Sequence, residues 1–421
     1  MTMRLGFVVQ RYGLEIAGGA EYHCRLIAER LRRHAEVEVL TTCARDYVSW
    51  ANHYPEGEED VHGVRVERFH VDRPRDDGRY SEATARVLGE IARVEPGRID
   101  PAVVRRTTAA EASAWLDEQG PYCPRVVLAL RERQDRYDAL IFFSYRYWTT
   151  VHGLQAARRP ALLVPTAEED GAYRLPIFPP LFAKASALVF NSPEERAMLE
   201  GAAGRALPGE VVGVGSELPT GMDPEGFRRR HGLVAPFLLY VGRIDRNKGC
   251  AELFDHFLRY RRESGSSLRL VLIGKDVLPI PDDPAIVPLG FLSDEEKWDA
   301  LAASLALVMP SWLESLSMVT LEAFWAGKPV LANARCDVLR GQCRRSNGGL
   351  YYATYDEFRE ALSLLERSAG LREVLGRNGR AYFEANYSWD VIERKYLDLL
   401  SRVAPEVGRG EAASPAPASP A

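Results

Sequence analysis

The stretch Pro310-Ser-Trp-Leu-Glu-Ser-Leu-Ser-Met-Val-Thr-Leu-Glu-Ala-Phe-Trp-Ala-Gly-Lys-Pro-Val330 decides how this chain is read. It follows the apolar run at 305–309 and sets Glu314 and Glu322 eight positions apart across the start of a helix. A strand that ends in a short turn and opens a helix leaves unpaired backbone N–H groups there, which suit an anion. At 1.5 Å rise per residue the two carboxylates stand roughly 10–12 Å apart. That is about the span from the sugar of a nucleotide-sugar to its ribose, with the pyrophosphate between them at the helix start. An ordinary helix with two surface glutamates accounts for this stretch alone equally well.

A second stretch shifts the balance. Phe237-Leu-Leu-Tyr-Val-Gly-Arg-Ile-Asp-Arg-Asn-Lys-Gly249 is an apolar strand that runs into a glycine turn with Arg243 and Lys248, and a helix begins near Cys250. Arginine offers a planar fork that matches phosphate, and lysine a compact point charge. A basic pair in a loop is usually a solvated surface. Here it ends a buried-looking strand, where ligand crevices of parallel sheets form.

Together, Val241 to Gly249 and the Pro-Ser-x2-Glu-x7-Glu of Pro310 to Glu322 resemble the GT-B nucleotide-sugar glycosyltransferases of glycosyltransferase family 4. The resemblance spans nearly the whole chain, and its motifs lie within about 236–400. It implies that Arg243 and Lys248, with Gly242, bind the donor diphosphate. It also implies that Glu314 meets the donor sugar, that Glu322 binds the ribose, and that the amides near Leu316 and Ser317 face the phosphates. The family's loop after the first glutamate is glycine-rich, whereas this chain has Ser315-Leu-Ser-Met318.

Composition agrees with two globular domains: 421 residues, 46% hydrophobic and 27% charged. A net charge of -5 gives no reason to expect nucleic acid, and the basic runs at 228–230 and 344–345 read as solvated faces. Six cysteines form no CxxC pair or zinc spacing, as expected of structural thiols in a reducing compartment. The amino terminus lacks a signal-peptide pattern, and no segment approaches the ~20 apolar residues of a membrane helix. The expected setting is cytoplasmic, with at most peripheral membrane contact.

Strands and helices alternate. Strands are expected at 4–10, 37–42, 64–69, 139–143, 161–165, 187–191 and 211–214, with a helix from Gly18 to about His34. Near-continuous apolar strands between helices argue for parallel sheets covered on both faces. Residues 80–135 read as an inserted helical region within a first domain at 1–214, and 215–232 as the linker. The second domain, 233–386, carries strands at 237–241, 268–273, 306–309 and 329–332. Ser388 is the expected N-cap of a last helix at 387–403, which by the resemblance crosses back to the first domain. The Pro/Ala/Ser-rich run 404–421 reads as a disordered tail. The expected fold is thus α/β: GT-B, two Rossmann-like doubly wound domains facing a cleft.

The first domain offers weaker signals. Gly18 and Gly19 sit between the first strand and helix, where glycine admits close backbone approach; a tight turn is the plainer account. The resemblance turns this loop toward donor phosphate or acceptor. After the strand at 161–165 come Glu168, Glu169 and Asp170. Relatives often carry a sugar-contacting histidine there; these acids either replace it in the cleft or are solvated. Tyr145, Tyr147 and Trp148 would stack on acceptor sugar rings or pack under the next helix, and packing is slightly favoured. By the resemblance, the turns at 273–276 and 289–292 hold the nucleobase, of UDP or GDP.

The expected activity is transfer of a sugar from a nucleoside-diphosphate-sugar to an acceptor hydroxyl in glycan or polysaccharide biosynthesis, with retention implied by the family. The acceptor is a glycan, a lipid-linked sugar or a small molecule. No cofactor or metal is expected, since two cations replace Mg²⁺. A nucleotide-sugar hydrolase or epimerase and a non-catalytic nucleotide- or glycan-binding protein share the donor features. A nicotinamide dehydrogenase is disfavoured, because no GxGxxG follows the first strand.

Overall fold

The computed structural model describes residues 2–16, 18–94 and 98–405. Among these the strands form two sheets. The first holds β1 (Met3–Val8), β2 (Ala35–Thr42), β3 (Gly57–Val61), β4 (Val64–Phe69), β5 (Ala139–Phe143), β6 (Ala161–Val164), β7 (Ala187–Phe190) and β8 (Gly209–Val211). Its order is β3-β4-β2-β1-β5-β6-β7-β8, parallel except for the β3–β4 pair. The second holds β9 (Phe237–Val241), β10 (Arg269–Ile273), β11 (Ile286–Pro288), β12 (Ala306–Met309), β13 (Val330–Asn333) and β14 (Gly349–Tyr352). It is parallel throughout, in the order β11-β10-β9-β12-β13-β14.

The central strands are apolar because both faces are covered: every residue of β5, β6, β7 and β12 is buried. Chain order reverses between β1 and β5 in the first sheet and between β9 and β12 in the second. At such reversals neighbouring loops leave in opposite directions and open a crevice beyond the strands' carboxyl ends. Both crevices receive expected site residues.

Several elements differ from expectation. β3 is Gly-Glu-Glu-Asp-Val, mostly exposed, without apolar alternation. It exists because Glu58 and Glu59 pair with Arg65 and Arg68 of its antiparallel partner β4, and its charges suit a sheet edge. β11 and β14 are short and were likewise not expected. The last strand of the first sheet is Gly209–Val211 rather than 211–214. Beyond it the chain bends beneath Tyr387 and Trp389, whose rings would clash with a Cβ at Gly213 and Gly215.

The helices of the 80–135 region, among them Asp77–Leu88, Ala109–Gln119 and Pro124–Arg133, form a layer on the first sheet, with Trp115 buried edge-on to Phe178. The expected linker 215–232 contains a helix. Pro224–Arg230 is capped by Asp223, which accepts from the Gly226 N–H at 2.8 Å, and Phe227 is buried beside Phe237. Its Arg230 reaches Asp299 of the second domain at 2.7 Å.

The last helix, Trp389–Val403, returns to the first domain. Ile392, Tyr396, Leu399 and Leu400 are buried in a core cluster shared by both domains. His34 Nε2 lies 3.0 Å from Glu393, and the Arg30 guanidinium stands 4.5 Å from the Trp389 ring centroid. Ser388 occupies the N-cap position without a capping side-chain bond. Ala404, expected in the tail, is buried; residues 406–421 lie outside the described residues. No helix among the described residues is long and apolar enough to cross a membrane. All six cysteines are free and buried.

Candidate active site

The β9/β12 reversal assembles the basic pair and the first glutamate. Gly242 leaves β9 at φ 149° and Gly249 turns at φ 73°, a region that favours glycine. A Cβ on Gly249 would lie 2.1 Å from the Pro310 carbonyl oxygen, so glycine lets the basic turn press against the end of β12. Asp245 organises this turn: it accepts from the Lys248 N–H at 2.8 Å and from Arg243 Nε. Lys248 Nζ then donates to Glu314 Oε1 at 2.7 Å, across from the β9 loop to the β12 loop. Burial opposes the Lys248 charge, but Glu314 and Glu168 outweigh it and hold the ammonium above its ordinary value. The turns at 273–276 and 289–292 are laced to the same loop, for Gly274 N–H reaches the Gly290 carbonyl and Ile244 N–H the Lys275 carbonyl.

The helix after β12 is Met318–Trp325. Ser317 at its N-cap has φ 63° and caps no amide; its hydroxyl pairs with Thr320 Oγ1 at 2.8 Å. The first-turn amides are thus left without a side-chain cap, a positive end suited to anions. Leu316 is buried beside this turn. Glu322 is 5% exposed and accepts from Lys297 Nζ at 3.0 Å. Burial raises the Glu322 carboxyl while Lys297 opposes the rise, and Lys297 also lies 3.1 Å from Asp294. Lys297 carried no sequence signal, because it sits in the acidic surface-like run Asp294-Glu-Glu-Lys.

The first domain faces this site with the loops after β1, β5 and β6. Gly18 is the N-cap of helix Gly19–Leu31, and a Cβ there would meet the Glu21 carboxylate at 2.2 Å. Gly19 faces open space. Glu21, buried in the first turn, accepts from Gln10 at 2.9 Å and from Arg11. Arg11 in turn lies 5.4 Å from the Tyr47 ring centroid, and Tyr47 Oη accepts from Arg243 Nη1 of the opposite domain at 2.6 Å. Neither the Arg11–Glu21 pair nor Tyr47 stood out in sequence; only Asp245, two residues from Arg243, lay where a turn-organising acid could have been sought. Ser144 and Thr166, in the loops after β5 and β6, hold left-handed backbone and pair their hydroxyls at 3.0 Å. Non-glycine residues in that region store strain.

The three acids after β6 separate. Glu168 is half-buried within the field of Lys248 and Glu314. Burial pushes its carboxyl up to about 7, with Glu314 and Asp170 adding to the rise and Lys248 opposing it. Glu169 is exposed and turned to Tyr173 and Arg174, away from this group. Asp170 is buried against Arg146 at 2.6 Å. Of the aromatics, Tyr145 is core against Phe178. Trp148 is 7% exposed, packed against the tilted rings of Tyr122 and His152, and donates to Asp117. Packing claims it rather than a sugar ring. Tyr147 stays half-buried, edge-on to Trp50. Among the described residues no group of three or more His, Cys, Asp or Glu converges to hold a metal ion.

Two doubly wound domains facing a cleft, with the last helix crossing back, define a GT-B fold, and solved structures share it over their full length. A sucrose-phosphate synthase from Thermosynechococcus elongatus covers 96% of this chain and 100% of its own, with TM-score 0.66 and 16% identity. The Anabaena protein HepE in complex with UDP-glucose covers 95% and 100%, with TM-score 0.64 and 16% identity. Residues 227–382 match the family of glycosyl transferases group 1, a span that contains Arg243, Lys248, Glu314 and Glu322. A curated relative, the MMP α-(1→4)-mannosyltransferase of Mycolicibacterium hassiacum, is 30% identical over 206 residues, 44% of this chain. The match spans about half of that relative, 49% of its length.

Proposed function

We propose that the chain is a glycosyltransferase of the retaining type, moving a sugar from a nucleoside-diphosphate-sugar to an acceptor hydroxyl. The observation that carries this reading is the convergence of Arg243, Lys248 and the uncapped helix Met318–Trp325 at the β9/β12 reversal. It lies within the segment that matches glycosyl transferases group 1, and HepE, of the same fold, was solved with UDP-glucose.

The cations and helix amides stabilise the charge that develops on the leaving diphosphate, an electrostatic role that needs no metal. Glu322 meets the ribose of a UDP or GDP sugar, and Glu314 orients the sugar without acting as a nucleophile. Glu168 faces the sugar from the first domain. Closure of the cleft excludes water so that transfer outruns hydrolysis. The acceptor, a glycan, a lipid-linked sugar or a small molecule, approaches from the first domain.

A thermal-shift screen of nucleotide-sugars tests the reading. A donor at 100 times its Kd adds about 2.7 kcal/mol of stability, and one sugar nucleotide is expected to stand out. A screen in which none stabilises the protein overturns it.

A further inference from the structure

Two arginines on the first domain, Arg75 and Arg146, keep buried guanidinium N–H groups without a hydrogen-bond partner among the described residues. Arg75 donates to the Tyr47 carbonyl at 2.9 Å and to the Gln119 carbonyl, and its guanidinium lies 4.3 Å from the Tyr80 ring centroid and 5.1 Å from that of Trp50. Among the described residues it makes no ion pair, and its Nε is buried without a hydrogen-bond partner. Burial lowers its pKa; Tyr80 and Tyr147 oppose the fall, and Arg146 adds a smaller push in the same direction as burial. Arg146 spends Nη1 on Asp170, while its Nε is likewise buried and unpartnered. Tyr147 sits in the field of both guanidiniums. A buried donor left unmade is costly, and two guanidiniums with free donors match an oxyanion. Tyr47 joins this group directly to Arg243.

We propose that Arg75 and Arg146, with the hydroxyls of Tyr80 and Tyr147, form an anion site that takes a phosphate or carboxylate carried by the acceptor. The proposal deepens the glycosyltransferase reading and rests on it for the word acceptor. The anionic group anchors the acceptor on the first domain, one residue removed from the donor diphosphate, so that its hydroxyl meets the sugar. Substrates of this class are phosphorylated or acidic sugars and polyols.

Inorganic phosphate and acetate, at matched ionic strength, are titrated into the full chain, into Arg75→Gln, and into Arg243→Ala, which disables the donor clamp. Phosphate binding is expected to survive Arg243→Ala and to weaken about tenfold or more in Arg75→Gln, the loss of a charge-assisted hydrogen bond. A stronger response to acetate than to phosphate would assign the site to carboxylates. UDP and GDP titrations run in parallel. Retained nucleotide binding shows that Arg75→Gln is folded, and nucleotide binding lost from the wild type strikes the glycosyltransferase reading instead. Arg75→Lys, which keeps the charge, recovers part of the phosphate affinity. Phosphate binding that disappears with Arg243→Ala, that is unchanged in Arg75→Gln, or that is undetectable in the wild type overturns the proposal.

Discussion

Arg243 Nη1 lies 2.6 Å from the phenol oxygen of Tyr47, so a cation assigned to the donor diphosphate is held by a tyrosine of the opposite domain. The same guanidinium is anchored on its other side by Asp245. The contact links the two domains across the cleft, and under the proposed function an incoming phosphate would compete with it.

Tyr47→Phe removes that competitor. Nucleoside diphosphate affinity is expected to rise by about 0.5–1.5 kcal/mol, the net worth of one hydrogen bond, with little change in melting temperature because Tyr47 is 44% exposed. Calorimetric titration measures it. Weaker binding would show that Tyr47 helps to grip the diphosphate.

The two glutamates differ in what they leave behind. Glu314→Gln releases Lys248 and is expected to lower kcat while nucleoside diphosphate affinity holds or rises. Glu322→Ala leaves the buried Lys297 paired with Asp294, whose side chain is 78% exposed. It should cost about 3 kcal/mol of stability and about 1.5–3 kcal/mol of diphosphate affinity. Lys297→Met added to Glu322→Ala should recover part of the stability. Urea melts and titrations report both effects, and equal losses of affinity in Glu314→Gln and Glu322→Ala would contradict the assigned roles.

Stability should fall with rising pH through the neutral range on account of two acids. Burial pushes Glu168 up to about 7, and pushes Glu195 up to about 8 despite N–H bonds from Asn191 and Ala167. Unfolded glutamates titrate near about 4.3, so between these values the folded chain holds the proton and the unfolded chain does not. Their contribution is complete below the unfolded value and is lost as pH rises through about 7–8. Glu168→Gln, neutral at every pH, is therefore expected to lose less melting temperature than the wild type from about pH 5 to 8. Parallel curves would show that the Glu168 carboxyl is ionised throughout.

Turnover is expected to survive EDTA, since under the proposed function Arg243 and Lys248 supply the positive charge at the diphosphate. Loss of activity on chelation, restored by Mg²⁺ or Mn²⁺, would count against a metal-free mechanism.

Deleting 406–421 is expected to leave the melting temperature unchanged. Ending the chain at Glu384 removes Ile392, Tyr396, Leu399 and Leu400 from the shared core. At about 1.5–3 kcal/mol for each large apolar side chain, the loss approaches the whole 5–15 kcal/mol margin of a domain. Cooperative melting should be lost in the second truncation alone; similar curves would mean that this helix adds little to the fold.

The fold was legible wherever burial on both faces wrote a continuous apolar run. β5, β9 and β12 fall on the residues expected for them, because a strand between two helical layers admits little else. β3 was not legible: its glutamates are ordered by arginines of the neighbouring strand, and no local pattern records a partner.

The sequence by itself determined which residues to propose for the donor side, since the glycine turn with Arg243 and Lys248 and the spacing of Glu314 and Glu322 are local chemistry at strand ends. Tertiary structure alone decided their partners. Tyr47 meets Arg243 from 196 positions away, Lys297 holds Glu322, and Arg75 comes to lie 5.1 Å from the Trp50 ring centroid. It also decided that Trp148 packs and Glu169 turns outward while Glu168 faces Lys248. Charge and burial act through space, so contacts across a sheet reversal or between two domains leave no periodicity along the chain.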